Sequence, residues 1–125
     1  MNMHAFGELI DGDDTQRAAL SGVIPETVNL LLSGHIHAFQ AIDLLDGPVQ
    51  VISGNGGTQL DPMPTDIATN VEVAGSLASI VVSNSDFGFL MLTRKTDGVW
   101  SMDAIDAEGK TRNRCRLIGR TLSCV

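Results

Sequence analysis

His35 and His37 bracket Ile36 at the end of an apolar run, Val28-Asn29-Leu30-Leu31-Leu32, with Ser33 and Gly34 forming a small-residue corner between. Side chains alternate along extended chain, so this spacing predicts both imidazoles on one face, their Cα atoms roughly 6–7 Å apart. Two neutral imidazoles converging at a strand end suit a transition metal, or a single ligand to each of two metals. The plain alternative is two histidines alternating in a strand with no ligand to hold. Twenty residues later Ser53-Gly54-Asn55-Gly56-Gly57 forms a loop whose glycines free the backbone for tight or left-handed turns.

A second pair of reactive side chains closes the chain. Cys115 and Cys124 flank Arg-Leu-Ile-Gly-Arg-Thr-Leu-Ser, which reads as a hairpin turning at Gly119-Arg120 with glycine where type II′ geometry wants it. That register sets Ile118 against Thr121, Leu117 against Leu122 and Cys115 against Cys124. A non-hydrogen-bonded antiparallel pair brings Cα atoms to about 4.5 Å, within disulfide range. Two states stay open here. One is a bridge contributing roughly 2–3 kcal/mol by closing a short loop; the other is a reduced pair packed beside Leu117 and Leu122. A bridge would point to an exported parent protein; nothing else in the chain speaks to localisation.

The elements that must position these residues are readable in outline. Asp13 or Asp14 can cap a helix starting near Thr15, with Ala18, Ala19 and Leu20 as its apolar content. Gly22 ends it and Pro25 prevents its resumption. Val28 to Leu32 is mostly unalternating and apolar, the pattern of a strand covered on both faces. Phe39 to Leu45 follows as a strand, turned by Asp46-Gly47-Pro48 into Val49 to Ile52. Residues 58–80 carry little pattern, and Asp61-Pro62-Met63-Pro64 must be a loop. From Ile80 onward the chain reads as an antiparallel meander: Phe89 to Arg94, Val99 to Asp106, Thr111 to Leu117, then the cysteine hairpin. Arg112, Arg114 and Arg116 alternate with Asn113, Cys115 and Leu117, giving one wet and one buried face. Trp100 and Phe89 sit at strand positions where core packing is the default.

Composition bounds what such a chain does. Its 125 residues are 43% hydrophobic, enough for one domain with a core. The net charge is −7, and Arg17 is the only basic residue before Arg94. An acidic body argues against nucleic-acid binding, which neutralises phosphates with Lys and Arg. The basic C-terminal end reads as a solvated strand face or as a contact for an anion. No stretch approaches the ~20 apolar residues that span a bilayer, and the first residues, Met-Asn-Met-His-Ala-Phe-Gly-Glu, have no secretion-signal pattern.

Gly34-His35-Ile36-His37 resembles the Gly-His-x-His signature of calcineurin-like metallophosphoesterases. The order of elements around it resembles the C-terminal half of that fold: capped helix, buried strand, His motif, strand pair, glycine loop, terminal antiparallel strands. The resemblance implies an α/β (α+β) class, the C-terminal half of a four-layer α/β/β/α sandwich, with residues 1–125 forming a single partial domain. It implies a two-metal centre (Zn, Fe or Mn) that activates a bridging water for attack on a phosphoester small molecule. His35 would bind one metal and His37 the other. The family's upstream metal-binding His falls near His4, although no Pro follows His4 here.

The family's N-terminal motifs, an Asp-x-His, a Gly-Asp with bridging Asp, and a Gly-Asn-His supplying the acid, are missing. Gly12-Asp13-Asp14 lies on the wrong side of the sequence for the bridging Asp, and Gly56 stands where Gly-Asn-His would have its histidine. No catalytic residue is therefore assigned, and hydrolase activity is expected only once an N-terminal half completes the site. The other reading is a non-catalytic structural or metal-binding module derived from the fold. Upstream Asp-x-His and Gly-Asn-His in frame would mark the enzyme, and a true start at Met1 the module. With half the fold missing, the isolated chain is expected to self-associate or be molten.

Overall fold

The computed structural model describes residues 23–45, 47–63, 67–73 and 76–125. The expected helix near Thr15, His4 and the Gly12-Asp13-Asp14 triplet all lie outside them. Nine strands account for the regular structure among the described residues: β1 (Leu30–Ser33), β2 (Phe39–Leu44), β3 (Val49–Ser53), β4 (Ala68–Val73), β5 (Ser76–Asn84), β6 (Gly88–Arg94), β7 (Trp100–Asp106), β8 (Thr111–Ile118) and β9 (Thr121–Cys124). They form a five-stranded sheet, order β1-β3-β2-β5-β4, and a four-stranded sheet, order β6-β7-β8-β9. Only β1–β3 is parallel. The α/β expectation is therefore corrected over these residues to a β-rich, two-sheet, mostly antiparallel fold. Among the described residues the strands are short and most are joined by tight turns.

The two sheets close on one apolar layer. From the five-stranded sheet come Phe39, Ala41, Val49, Val51 and Val82; from the four-stranded sheet come Met102, Ala104, Cys115, Leu117 and Leu122. Strand parity dictates the split. On β8, Asn113, Cys115 and Leu117 are buried while Arg112, Arg114 and Arg116 face water. On β6 the same parity turns Leu90 and Leu92 toward the core and Phe89 outward, 54% exposed, so Phe89 is not a core residue. A second cluster, including Ile36, Ala38, Ile42, Ile52, Met63 and Val81, covers the other face of the five-stranded sheet. Strand β2, buried at all six positions, separates the two clusters.

Strand β1 also departs from expectation. Its three leucines do not lie between two covered faces: Leu30 and Leu31 are half-buried and Leu32 is 56% exposed, and among the described residues β1 is an edge strand paired with β3. An apolar run specifies burial but not which neighbour provides it. Strand β4 and the first residues of β5 fall in the stretch that carried little pattern. The β4–β5 ladder skips Asn70, whose φ is 54°, and the β2–β5 register shifts between Asp43 and Leu44. Such irregularities break the alternation that makes a strand legible.

The cysteine hairpin follows from its turn. Gly119 has φ 58° while Arg120 stays at negative φ, the type II′ combination. Ile118 pairs with Thr121, Leu117 with Leu122 and Cys115 with Cys124, and the two cysteines are disulfide-bonded with Cα atoms 4.1 Å apart. Arg114 and Val125 exchange backbone hydrogen bonds, so Cys115–Cys124 is a non-hydrogen-bonded pair, and the next such pair turns the Leu122 N–H away from β8. The Asp43 carboxylate of β2 accepts that N–H at 2.8 Å, tying the edge of one sheet to the middle of the other.

One buried group works against the fold. Gln40 on β2 has no solvent exposure, and among the described residues neither its Nε2 nor its Oε1 has a hydrogen-bond partner. Its cross-strand neighbours are Ile52 and Ser83. An unsatisfied buried amide costs about 1–3 kcal/mol, and an apolar side chain of similar shape removes that cost. Gln40→Met should raise stability by about 1–2 kcal/mol in denaturant unfolding, with an unchanged m value.

Candidate functional site

The two histidines lie where two strand ends meet. Because β1 and β3 are parallel and β3 sits between β1 and β2, the chain leaving β1 must cross the carboxyl end of β3 to enter β2. Residues 34–38 make that crossing, and β3 departs directly beneath it through Gly54. The Gly54 N–H donates to the Ala38 carbonyl at 3.1 Å. A Cβ on Gly54 would be driven into the Ile36 carbonyl oxygen, so only glycine fits. The glycine loop thus supports the histidine segment from below.

That segment is a series of bends and not extended chain, which corrects the geometry expected from the spacing. His35 has φ 80°, in the left-handed region, a conformation costing a non-glycine residue about 1–2 kcal/mol. The Ala38 N–H donates to the Ile36 carbonyl at 2.9 Å, closing a γ-turn centred on His37. Ile36 is buried in the outer apolar cluster, His35 is exposed and His37 half-buried. The buried Ile36 anchors the loop while its two neighbours stay near the surface.

Asp61 fixes His37 from the other side. The His37 N–H donates to Asp61 Oδ2 at 2.9 Å, and the Asp61 N–H donates to the His37 carbonyl at 2.9 Å. Ser85 holds Asp61 in turn, its hydroxyl donating to the Asp61 carbonyl at 2.8 Å while accepting the Met63 N–H at 2.6 Å. The sequence offered only a weak signal for this carboxylate, an Asp before Pro62 in a segment readable solely as loop. Among the described residues, no cluster of three or more His, Cys, Asp or Glu side chains converges on one point; His4 lies outside them.

Behind the glycine loop a polar knot joins the two sheets. Asn55 is buried, donates to the Asp86 carbonyl at 2.8 Å, and its own carbonyl accepts the Gly88 N–H at 3.0 Å. Asn84 Nδ2 donates to Asn113 Oδ1 at 2.6 Å. The Arg112 guanidinium lies 2.6 Å from Asp106 and 3.6 Å from Asp86. A cavity of about 200 Å³ opens beside them, lined by Leu60, Phe87, Glu108 and the same charged groups. Asn55 is therefore a tie between loop and sheet junction.

The Asp106 carboxyl is held below its ordinary value. The Lys110 N–H, donating at 2.8 Å, contributes most; the Arg112 guanidinium and the Glu108 N–H add to it, while burial opposes them. The same contact raises the Arg112 guanidinium, which stays charged throughout.

Comparison with protein-family models, curated proteins and solved structures gave no match.

Two outcomes are expected. His35→Gly should be more stable than His35→Ala by about 1 kcal/mol in chemical denaturation, since only glycine relieves the left-handed backbone. The reverse order would mean His35 is unstrained. Because folding lowers the Asp106 value, its stabilisation is fully present above the ordinary carboxylate range, near about pH 4, and is lost as pH falls through the folded value. Asp106→Asn should therefore lower stability at neutral pH and flatten the acid limb of a stability–pH profile.

Proposed function

We propose that this chain is the C-terminal portion of a calcineurin-like metallophosphoesterase, with His35 and His37 as metal ligands of a hydrolase completed by an N-terminal half. The observation that carries this reading is the seating of Gly34-His35-Ile36-His37 at the carboxyl ends of the parallel pair β1–β3. Both imidazoles stand at or near the surface there, and His35 is held in left-handed backbone. Strain of that kind concentrates where side-chain placement matters to function. Parallel strands normally lie inside a larger covered sheet, and β1 has an open edge with Leu32 exposed. More sheet beyond β1 would restore that arrangement. The Cys115–Cys124 bridge supports an exported parent.

The described residues fit the two divalent metals of that family only in part. Two imidazoles suit a transition ion such as zinc, iron or manganese, but bridging two metals calls for carboxylates beside them, and Asp61 Oδ2 is committed to the His37 N–H. We derive no hydrolytic step for this chain. A phosphoester would be its substrate class only after completion.

A second reading, a non-catalytic structural or metal-binding module, is favoured by the closed core between the two sheets. Titration calorimetry separates the histidine assignment from it. The chain should bind Zn²⁺ weakly, with loss in His35→Ala and His37→Ala and a smaller loss in His4→Ala. Equal zinc affinity in the His35→Ala/His37→Ala double variant would refute the ligand assignment. No turnover of a nitrophenyl phosphodiester above background is expected from the chain alone, since a nucleophile and a leaving-group acid are both wanting. Metal-dependent hydrolysis abolished by His37→Ala would show the site to be complete as it stands.

A further inference from the structure

The four strands that edge the two sheets are not equally protected. Strand β9 has four residues, and its outward Leu122 N–H is taken by Asp43. Strand β4 is distorted at Asn70 and carries Glu72. Strand β1 is only four residues long. Strand β6 has none of the devices that blunt an edge: seven residues, Gly-Phe-Leu-Met-Leu-Thr-Arg, pair with β7 without a register shift. It holds no proline and no charge before Arg94. An edge of that kind is a template for another strand.

The ladder defines which groups the edge presents. Backbone bonds from Ala107 to Phe87 and from Lys95 to Val99 bracket the β6–β7 pairing, so odd-numbered residues of β6 bond to β7 and even-numbered residues face away. Asn55 takes the Gly88 N–H. The Gly88 carbonyl and both backbone groups of Leu90, Leu92 and Arg94 remain, and none meets a backbone or side-chain partner among the described residues. Apolar side chains flank them on both faces. Phe89 and Met91 are 54% and 44% exposed on the outer face, while Leu90 and Leu92 are half-buried at the margin of the inter-sheet core.

We propose that two copies of this chain pair antiparallel through β6, joining their four-stranded sheets into one of eight strands. The strand is complementary to itself. With the two-fold axis at Met91, Leu90 lies opposite the partner's Leu92 as a hydrogen-bonded pair, and Arg94 lies opposite the partner's Gly88, whose carbonyl is free to accept. Met91 meets the partner's Met91 as a non-hydrogen-bonded pair, and Phe89 meets the partner's Thr93. Leu90 and Leu92 of both copies then extend one continuous apolar layer.

Charge selects the same arrangement. Past the apolar centre, one end of β6 runs into the basic pair Arg94-Lys95 and the other leaves from Asp86. Antiparallel pairing sets Arg94-Lys95 of each copy opposite Gly88-Phe87 of the other, one residue from its Asp86. Parallel pairing would set like beside like. An isologous contact of this kind closes at two copies. It is independent of the phosphoester reading, and it uses an edge of the sheet that does not contain β1.

Cysteine placement tests the register on the full chain. The native cysteines are both in the disulfide, so an added thiol is the only free one. Met91→Cys places two thiols across the axis with Cα atoms about 4.5 Å apart, within disulfide range. With oxidised glutathione as the two-electron acceptor it should cross-link to a covalent dimer. Thr93→Cys, whose counterparts sit roughly 13 Å apart along the ladder, should not. In sedimentation velocity the unmodified chain should run as a dimer and Met91→Glu as a monomer with unchanged near-ultraviolet dichroism, because like charges then oppose each other directly. Leu32→Lys on the β1 edge should leave the dimer intact. A monomeric parent chain, a dimer that survives Met91→Glu, dissociation by Leu32→Lys instead, or equal cross-linking of the two cysteine variants would each overturn the proposal.

Discussion

At Gly54 the chain passes over itself at a distance that admits no side chain, and the candidate site depends on that crossing. Gly54 lies beneath the Ile36 carbonyl and donates its N–H to Ala38. The crossing is forced by topology: β3 lies between β1 and β2, so the link from β1 to β2 has to clear the end of β3. Everything near it follows. Ile36 and Ala38 turn into the outer apolar cluster, His35 and His37 are left toward the surface, and Phe39 enters the inter-sheet core one residue later. The histidine loop is thus continuous with the best-packed part of the molecule.

The acidic balance of the chain has a structural meaning. Asp43 accepts the Leu122 N–H, Asp61 the His37 N–H, and Asp106 two N–H groups and Arg112. Asp103 pairs with Arg114. Each of these carboxylates completes a backbone or guanidinium group that a turn or an edge would leave open. Aspartates here act as internal acceptors at places where strands change partner. Their number says little about an external cation.

The sequence showed local structure well and non-local structure poorly, for a physical reason. Strands β2, β3, β6, β7, β8 and β9 were legible because alternation and turn chemistry are both properties of neighbours in the chain. The turns contain Gly47, Gly98, Gly109 and Gly119, and the last three adopt positive φ. The edge position of β1 was not legible, because three consecutive leucines look alike whether one neighbour or two will cover them. Strand β4 was hidden by the irregularity at Asn70. At the site, the histidines and the glycine loop announced themselves by type and spacing, but the left-handed turn at His35 and the clamp by Asp61, 24 residues away, arise only when distant segments meet.

Arg120, in the turn between β8 and β9, donates to the carbonyls of Val28 and Pro25, 92 and 95 residues earlier. These are among the longest-range contacts in the molecule, and they hold the segment that leads into β1. Contacts of high sequence separation form late, since the intervening chain must be ordered first. During synthesis the turn bearing Arg120 emerges 92 residues after Val28. The segment that leads into the histidine strand therefore gains this tie only once the β8–β9 turn has formed, so losing the Arg120 side chain would leave the sheets paired and the entry to their histidine end unfastened.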